Sequence, residues 1–225
     1  YGRIFRSSYD FQRISQSGGD LPSVLKKNLQ KKYTNMNWEG EVDHFLEQYS
    51  YISNNDKQNI FTQDVFSSLG SDPHNKSFFN NLWVELEGLS LTEKYMWIFQ
   101  KVHLEGLLGR LDSATMSASV EGRVPFVDHR LVEFVNQLPL QYKMRWLSHE
   151  AEQRAKDLNS DQISENLDIT KYLLKKQFKP RLPASIIERK KMGFPVPLGN
   201  WLSGQLKDYA IDRLLSSDAR TKEIF

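Results

Sequence analysis

The sequence predicts a mainly α-helical fold. Along most of its 225 residues, apolar side chains recur at spacings of three and four, the period of a helix with one face on a core. Helix breakers and capping residues, among them Gly122, Asp128 and Pro139, separate these periodic segments. The length is sufficient for one or two domains with a sizeable core.

Composition limits the classes of protein and of site. Charged residues make up 26% of the chain, but the formal net charge is only +2, which argues against general nucleic-acid binding. There is no cysteine, so disulfides and thiolate metal sites are excluded. No apolar run is long enough to cross a bilayer or to serve as a signal peptide, so we expect a soluble, cytoplasmic protein with no membrane partner. Because the chain starts at Tyr1 rather than at methionine, we expect a piece of a longer protein.

The first third of the chain predicts helices and a turn. Ser17–Asp20, S-G-G-D, lacks the buried strand that precedes a phosphate-binding loop, so we predict a polar turn. Val42–Tyr49 and Ile60–Leu69 have the apolar spacing of core-facing helices. His44 has no second histidine at i+4, which argues against a metal site. No basic residues interleave with the aromatic residues, so these are predicted to pack rather than to stack on bases: Trp38, Tyr49, Tyr51, Phe61 and Phe66.

Two longer helices are predicted between Phe78 and Met116. Thr92 is placed to cap the second one, whose apolar stripe faces the core. His103 on this helix is predicted to be a partly buried structural histidine.

The stretch Thr115–Asp128, T-M-S-A-S-V-E-G-R-V-P-F-V-D, predicts the end of one helix and the start of another. Gly122 breaks helices, the following proline favours an extended backbone, and Asp128 is a good N-cap. Glu121 and Arg123 lie on this short connection, where charged groups are well placed for chemistry. On spacing alone, a corner in which these two charges only satisfy each other is the favoured interpretation.

The last third predicts a helix over Leu131–Leu138 that ends at Pro139, and then a charged segment. Ser148–Asn166 is polar enough to predict a solvated helix or mobile loop. The segment Lys171–Lys191 is basic, and its helical part is predicted to present a solvated face. Its last three residues, Arg189 to Lys191, precede a stiff G-F-P-V-P loop that is expected to hold them in place. A short helix over L-G-N-W-L and a terminal helix that frays over Gln205–Phe225 complete the chain.

The central stretch resembles the E-A-R-V-P-F-L-D motif of the asparagine synthase family. Three further motifs match in order: Arg110–Met116, R-L-D-S-A-T-M; Lys171–Phe178, K-Y-L-L-K-K-Q-F; and Leu182–Leu202, L-P-A-S-I-I-E-R-K-K-M-G-F-P-V-P-L-G-N-W-L. Four motifs in register are a specific signal, and they cover about half of the chain, from Lys94 to Gly204.

The resemblance implies a fold and a division of the chain. It implies the mainly helical C-terminal half of an α/β synthetase domain of the PP-loop ATP pyrophosphatase type, which is similar to adenine-nucleotide α-hydrolases. The parallel-sheet half would lie upstream, since a family segment that ends in tyrosine corresponds to Tyr1. Within 1–225, residues 1–93 would be helical with weak resemblance, 94–204 the core that carries the motifs, and 205–225 a terminal helix.

The resemblance also implies an activity. Members activate aspartate with ATP as an acyl-adenylate and amidate it with ammonia from glutamine. Lys191 corresponds to the family lysine whose ammonium stabilises the charged transition states, and Glu121 to the acid that orients or activates the nucleophile. Arg123, Asp128 and Asp112 would be supporting residues, with Arg123 bracing Glu121 or Asp128.

Substrates and partners follow from the same resemblance. The complete enzyme would use ATP with magnesium, aspartate, and glutamine or ammonia. Its partners would be the upstream nucleotide-binding half, a glutaminase domain and a second copy in a homodimer. Because the pyrophosphate loop is missing from these residues, we expect them to be inactive alone.

Departures from the family motifs keep alternatives open. Ser113 stands where the family usually has arginine, Gly122 replaces alanine and Val127 replaces leucine. One alternative is a related ligase that acts on another carboxylate, such as a β-lactam-forming synthetase or a peptide or sugar amidotransferase. The other is a non-catalytic helical module that binds an acidic partner through Lys171–Lys191.

Overall fold

A computed structural model describes residues 2–52, 54–69, 72–190 and 196–224. The described chain is mainly helical, as predicted, with one two-stranded sheet. In chain order the elements are α1 Gly2–Gln16, α2 Ser23–Gln30, α3 Glu41–Tyr49, α4 Asn54–Ile60, α5 Gln63–Leu69, α6 Pro73–Val84, α7 Leu91–Met116, a 3₁₀ helix Pro125–Val127, α8 His129–Gln137, α9 Leu140–Lys143, β1 Met144–Trp146, α10 His149–Ala155, α11 Ser160–Ile163, β2 Asp168–Thr170, α12 Tyr172–Phe178, α13 Ala184–Ile187, α14 Leu198–Ser203, α15 Lys207–Leu215 and a 3₁₀ helix Arg220–Glu223.

The described chain divides into two units. The first unit comprises residues 2–49 and 78–189, and the second comprises residues 50–77 and 190–224. In the first unit, α1 packs on α3, α7 and α11 and is therefore its central helix. In the second unit, the backbone N–H of Thr62 donates to the carbonyl of Ile224 at 2.9 Å, which joins the start of α5 to the end of the chain.

An aromatic core fills the space between α3, α6 and α7. Phe45 is fully buried, and its ring centre lies 5.1 Å from that of Tyr95 and 5.7 Å from those of Phe79 and Trp83. Aromatic pairs at these separations contribute beyond their buried area, roughly 0.5–1.5 kcal/mol each. The predicted helix at Val42–Tyr49 is confirmed as α3 and the two longer helices as α6 and α7.

The segment Ser148–Asn166 forms short helices with one buried face, so the prediction of a mobile loop is wrong, and that of a solvated helix is correct only for the exposed face. It forms α10 and α11 between the two antiparallel strands, in which Arg145 pairs with Ile169. Ala151, Ala155 and Ile163 lie in a buried cluster. Because charged residues separate these apolar ones, the composition hides a buried stripe.

Of two local predictions, the turn at Ser17–Asp20 is correct and the N-cap of α7 is not. The polar turn at Ser17–Asp20 is confirmed, with Gly18 and Gly19 at φ of 59° and 98°, a region that favours glycine. The N-cap of α7 is Ser90 rather than Thr92, because Ser90 and Glu93 form a capping box. The Thr92 hydroxyl instead lies 2.6 Å from that of Ser8.

Other side chains test the packing predictions. Trp38 and Tyr49 pack against buried clusters, and His103 is half-buried against the Phe99 ring, as predicted. Tyr51 is 99% exposed, so its predicted packing role is wrong. The terminal helix is shorter than predicted, since α15 ends at Leu215. Of the helices in the described ranges, none is both long enough and apolar enough to span a membrane.

Candidate functional site

The connection between α7 and α8 has the predicted form. Helix α7 ends at Met116, and Ser119 rather than Gly122 takes a left-handed conformation, with φ of 55°. Val124 is extended, with φ of −122° and ψ of 80°. Asp128 caps α8 by accepting a hydrogen bond from the backbone N–H of Arg130 at 3.0 Å. The connection therefore holds its charged side chains outside both helices.

Glu121 and Arg123 form an ion pair on this connection. A guanidinium nitrogen of Arg123 lies 2.6 Å from one carboxylate oxygen of Glu121, and the two side chains are 81% and 67% exposed. Exposed pairs of this kind contribute little stability, roughly 0–1 kcal/mol. The contact involves one carboxylate oxygen of Glu121, and the side chain as a whole is mostly exposed.

Asp128 pairs with Arg130 and not with Arg123. The carboxylate is 3.1 Å from the Arg130 guanidinium, whose hydrogen bond is the main reason that the pKa of Asp128 lies below its usual value. Of the two partners predicted for Arg123, the structure places Glu121 in contact.

Two further features shape the connection. A Cβ atom on Gly122 would lie 3.2 Å from the Thr115 hydroxyl, closer than ordinary van der Waals contact, so glycine relieves crowding against the end of α7. Asp112 lies on α7 one turn before its end, in an open groove that Leu104 and Leu108 also line. Within the described ranges, no salt bridge joins Asp112 to Glu121, Arg123 or Asp128.

Lys191 lies outside the described residues, as do the four residues that follow it. The preceding side chains, Arg189 and Lys190, are exposed. Among the residues that the structure does describe, no group of three histidine, aspartate or glutamate side chains could hold a metal ion.

Large apolar side chains are exposed around the connection. Phe126 is 67% exposed and Phe134 56%, and both belong to the elements that follow Glu121. The others are Leu107, Leu111, Met116, Val120, Leu131 and Val135. These side chains make the surface around the connection largely apolar.

A buried polar network, which the sequence did not predict, lies in the first unit beside α1. The fully buried Asp10 accepts hydrogen bonds from Arg13 at 2.6 Å, from the Tyr33 hydroxyl at 2.9 Å and from the backbone N–H of Ser160 at 3.0 Å. The Tyr33 hydroxyl is also hydrogen-bonded to the imidazole of His44, which is fully buried. The other ring nitrogen of His44 is hydrogen-bonded to the Tyr95 hydroxyl. The complete bonding indicates a structural network.

Comparison with known proteins gives one consistent family. A family model for asparagine synthase matches residues 4–225. A putative glutamine-hydrolysing asparagine synthetase of Mycobacterium tuberculosis is 32% identical over 114 residues, which are 50% of this chain and 14% of that protein. Glutamine-hydrolysing asparagine synthetase 1 of Bacillus subtilis is 29% identical over 103 residues, 46% of this chain and 13% of that protein.

A fungal relative has a different name. Amidase chyE of Penicillium rubens is 30% identical over 95 residues, which are 42% of this chain and 12% of that protein. The matched part of the chain thus spans 12–14% of the length of these curated relatives. No solved structure matches.

Proposed function

Because the chain belongs to the asparagine synthase family, we propose that the protein containing it is an ATP-dependent ligase that forms an amide with nitrogen from glutamine. The observation that carries the proposal is the family match over residues 4–225. The bacterial relatives, which are named as glutamine-hydrolysing asparagine synthetases, support aspartate as the acid and glutamine as the nitrogen donor.

We propose that these residues are the helical C-terminal half of a PP-loop synthetase domain, with motif-bearing residues 94–204 between a helical segment 1–93 and a terminal segment 205–225. A parallel-sheet half and a glutaminase domain would come from other parts of the same polypeptide. The exposed apolar side chains around the α7–α8 connection support this proposal, since an upstream half would cover them. A second copy in a homodimer is a further proposed partner.

The chemistry requires two displacements. A side-chain carboxylate oxygen of aspartate attacks the α-phosphorus of ATP, the bond to the β-phosphate oxygen breaks, and pyrophosphate leaves. Ammonia then attacks the acyl carbon, a proton is lost from nitrogen, and AMP leaves with the bonding electrons. Among the described residues no group of three carboxylate or histidine side chains could hold a metal ion, so no step here is assigned to magnesium.

Two residues would act on the reacting groups. Lys191 would place its ammonium near the transferring phosphate oxygens, where charge develops in the transition state. Glu121 would accept a hydrogen bond or proton from the attacking ammonia through the oxygen that Arg123 does not bind. Arg123 would hold the Glu121 carboxylate in place, while Asp128 caps α8 and Asp112, whose backbone carbonyl accepts a hydrogen bond from the Thr115 hydroxyl, would support the end of α7.

A ligase that acts on another carboxylate is the second candidate. The relative named as an amidase favours it, because chains of similar identity to this one do not all have the synthetase name. The serine at position 113, where the family usually has arginine, points the same way because it removes a positive charge near the proposed site.

Pyrophosphate release by the protein as its source cell makes it would test the proposal. With ATP, magnesium and ammonia present, we expect release to depend on aspartate and asparagine to form in equal amount. Release that proceeds with another carboxylic acid and not with aspartate would favour the second candidate.

Variants would separate a ligase from a binding module. Lys191→Ala should abolish product formation, whereas the matched Lys179→Ala, on an exposed residue directly after α12, should not. If both variants retain activity, the assignment of Lys191 is wrong. If the protein forms no amide with any acid but binds acidic partners in a manner lost at high salt, it is a binding module.

A further inference from the structure

A cleft of about 700 Å³ lies in the first unit, between the start of α1, the strand β1 and helices α9, α10 and α12. Small-molecule sites have volumes of roughly 300–1,000 Å³. Glu121, Arg123, Asp128 and Asp112 are not among its lining residues. The cleft is therefore a separate feature from the α7–α8 connection.

Hydrogen-bond donors gather around one tyrosine ring in this cleft. Arg145 donates from its guanidinium to the Tyr172 hydroxyl oxygen at 3.1 Å, and its guanidinium carbon lies 5.2 Å from the ring centre. The Lys176 ammonium lies 6.0 Å from the same ring centre. Residues 172 and 176 share one face of α12 because they are four positions apart.

The local fold aims these side chains at the cleft. Arg145 is the exposed middle residue of β1, and Tyr172 and Lys176 lie on α12; all three residues line the cleft. The side chain of Arg6 also lines the cleft, but Asp168 neutralises it at 2.8 Å. Arg145 and Tyr172 are thus held by contacts that exist without a ligand.

This part of the cleft lacks a matching anion. Within the described ranges, neither Arg145 nor Lys176 forms a salt bridge, and Glu152 is the only carboxylate among the lining residues. The Tyr172 oxygen accepts from Arg145, so its hydrogen is left to donate. Arg145, Lys176 and Tyr172 therefore offer donors of which none is matched by a protein carboxylate.

We propose that Arg145, Tyr172 and Lys176 bind the phosphate group of a small organic phosphate in this cleft. A phosphate monoester has a charge of about −1.5 to −2 at neutral pH and three terminal oxygens, which match two cations and three donor groups. A carboxylate would leave one of the cations unpaired. Apolar side chains at the cleft wall, Leu140 and Leu147, would contact the organic part.

Isothermal titration of the full chain with phenyl phosphate tests the proposal. Arg145→Gln should weaken binding about tenfold, the loss expected for one charge-assisted hydrogen bond. Tyr172→Phe keeps the ring and removes one donor, so it should weaken binding by a smaller factor. Lys179→Gln is the matched control, since this exposed lysine follows the same helix but does not line the cleft.

Two further ligands, inorganic phosphate and benzoate, determine which chemical class of ligand the cleft prefers. Inorganic phosphate should bind more weakly than phenyl phosphate, because it lacks the apolar contact, and benzoate should bind more weakly because it has one negative charge. The proposal is overturned if phenyl phosphate does not bind, if Arg145→Gln binds it as well as Lys179→Gln does, or if benzoate binds as tightly. Circular dichroism of each variant establishes that its helix content is unchanged.

Discussion

Protonation of His44 should make the fold less stable below neutral pH. The side chain is fully buried, and its imidazole bonds the hydroxyls of Tyr33 and Tyr95. Burial and the nearby positive charge of Lys32 lower its pKa from 6.5 to about 3. The folded state therefore keeps the imidazole neutral at pH values where the unfolded chain binds a proton.

The direction and size of the change in the free energy of unfolding follow from the difference between the folded and unfolded pKa values of His44. Because the folded pKa of His44 is the lower one, its contribution to stability is complete above pH 6.5 and is lost as the pH falls toward 3. Between about pH 7.5 and 5.5, proton binding by the unfolded chain should lower the free energy of unfolding by about 1.4 kcal/mol. Glu47, whose pKa is raised mainly by burial, acts in the opposite direction, so a variant without the histidine is needed to isolate the effect of His44.

Urea denaturation across that range measures the effect, with His44→Asn as the comparison. Asparagine has an amide nitrogen near the position of the imidazole nitrogen that bonds Tyr95 and does not titrate. We expect the variant to be less stable at every pH but to lack the additional loss between about pH 7.5 and 5.5. An equal loss in both proteins would show that His44 is not the group responsible, and the account of its burial would then be wrong.

Three substitutions test other parts of the fold by chemical denaturation. Asp10→Ala should cost about 3–5 kcal/mol, since the half-buried Arg13 and the buried donors of Tyr33 and Ser160 lose their carboxylate; a loss below 1 kcal/mol would indicate that water solvates the network. Ser90→Ala should cost about 0.5–2 kcal/mol through the lost capping box with Glu93, and no change would mean that α7 starts elsewhere. Ile163→Ala should cost about 2–5 kcal/mol by opening a cavity, whereas a change below 0.5 kcal/mol would be typical of a solvated segment.

Local signals were sufficient for the part of the fold around the proposed site. The end of α7, the extended Val124 and the Asp128 cap each depend on residues within a few positions, so the sequence contains all the information required. The cap of α7 was misplaced because two candidates compete there, and Glu93 lies three residues after Ser90, not after Thr92. The position of Glu93, the partner residue of a capping box, therefore identifies Ser90 as the cap.

Contacts between distant residues could not be predicted in this way. Asp10 bonds Ser160, which is 150 positions later, and Arg13 donates to backbone carbonyls of Ala155 and Leu158. A polar composition at Ser148–Asn166 predicts solvent exposure only if no other part of the chain supplies partners. The buried Asp10 and Asn28 supply them here, so Asn159 and Ser160 are buried at the start of α11 instead of facing water.

Because the proposed site residues are exposed, substitutions there can change activity without changing the free energy of unfolding. Glu121 and Arg123 are exposed and bond each other, so replacing either should change the free energy of unfolding by less than about 0.5 kcal/mol. Asp10 is buried and contacts several segments, so its loss would affect activity through folding alone. A Glu121→Gln protein that unfolds at the same urea concentration as the natural chain but forms no amide therefore identifies a chemical role. The same loss in an Asp10 variant would not.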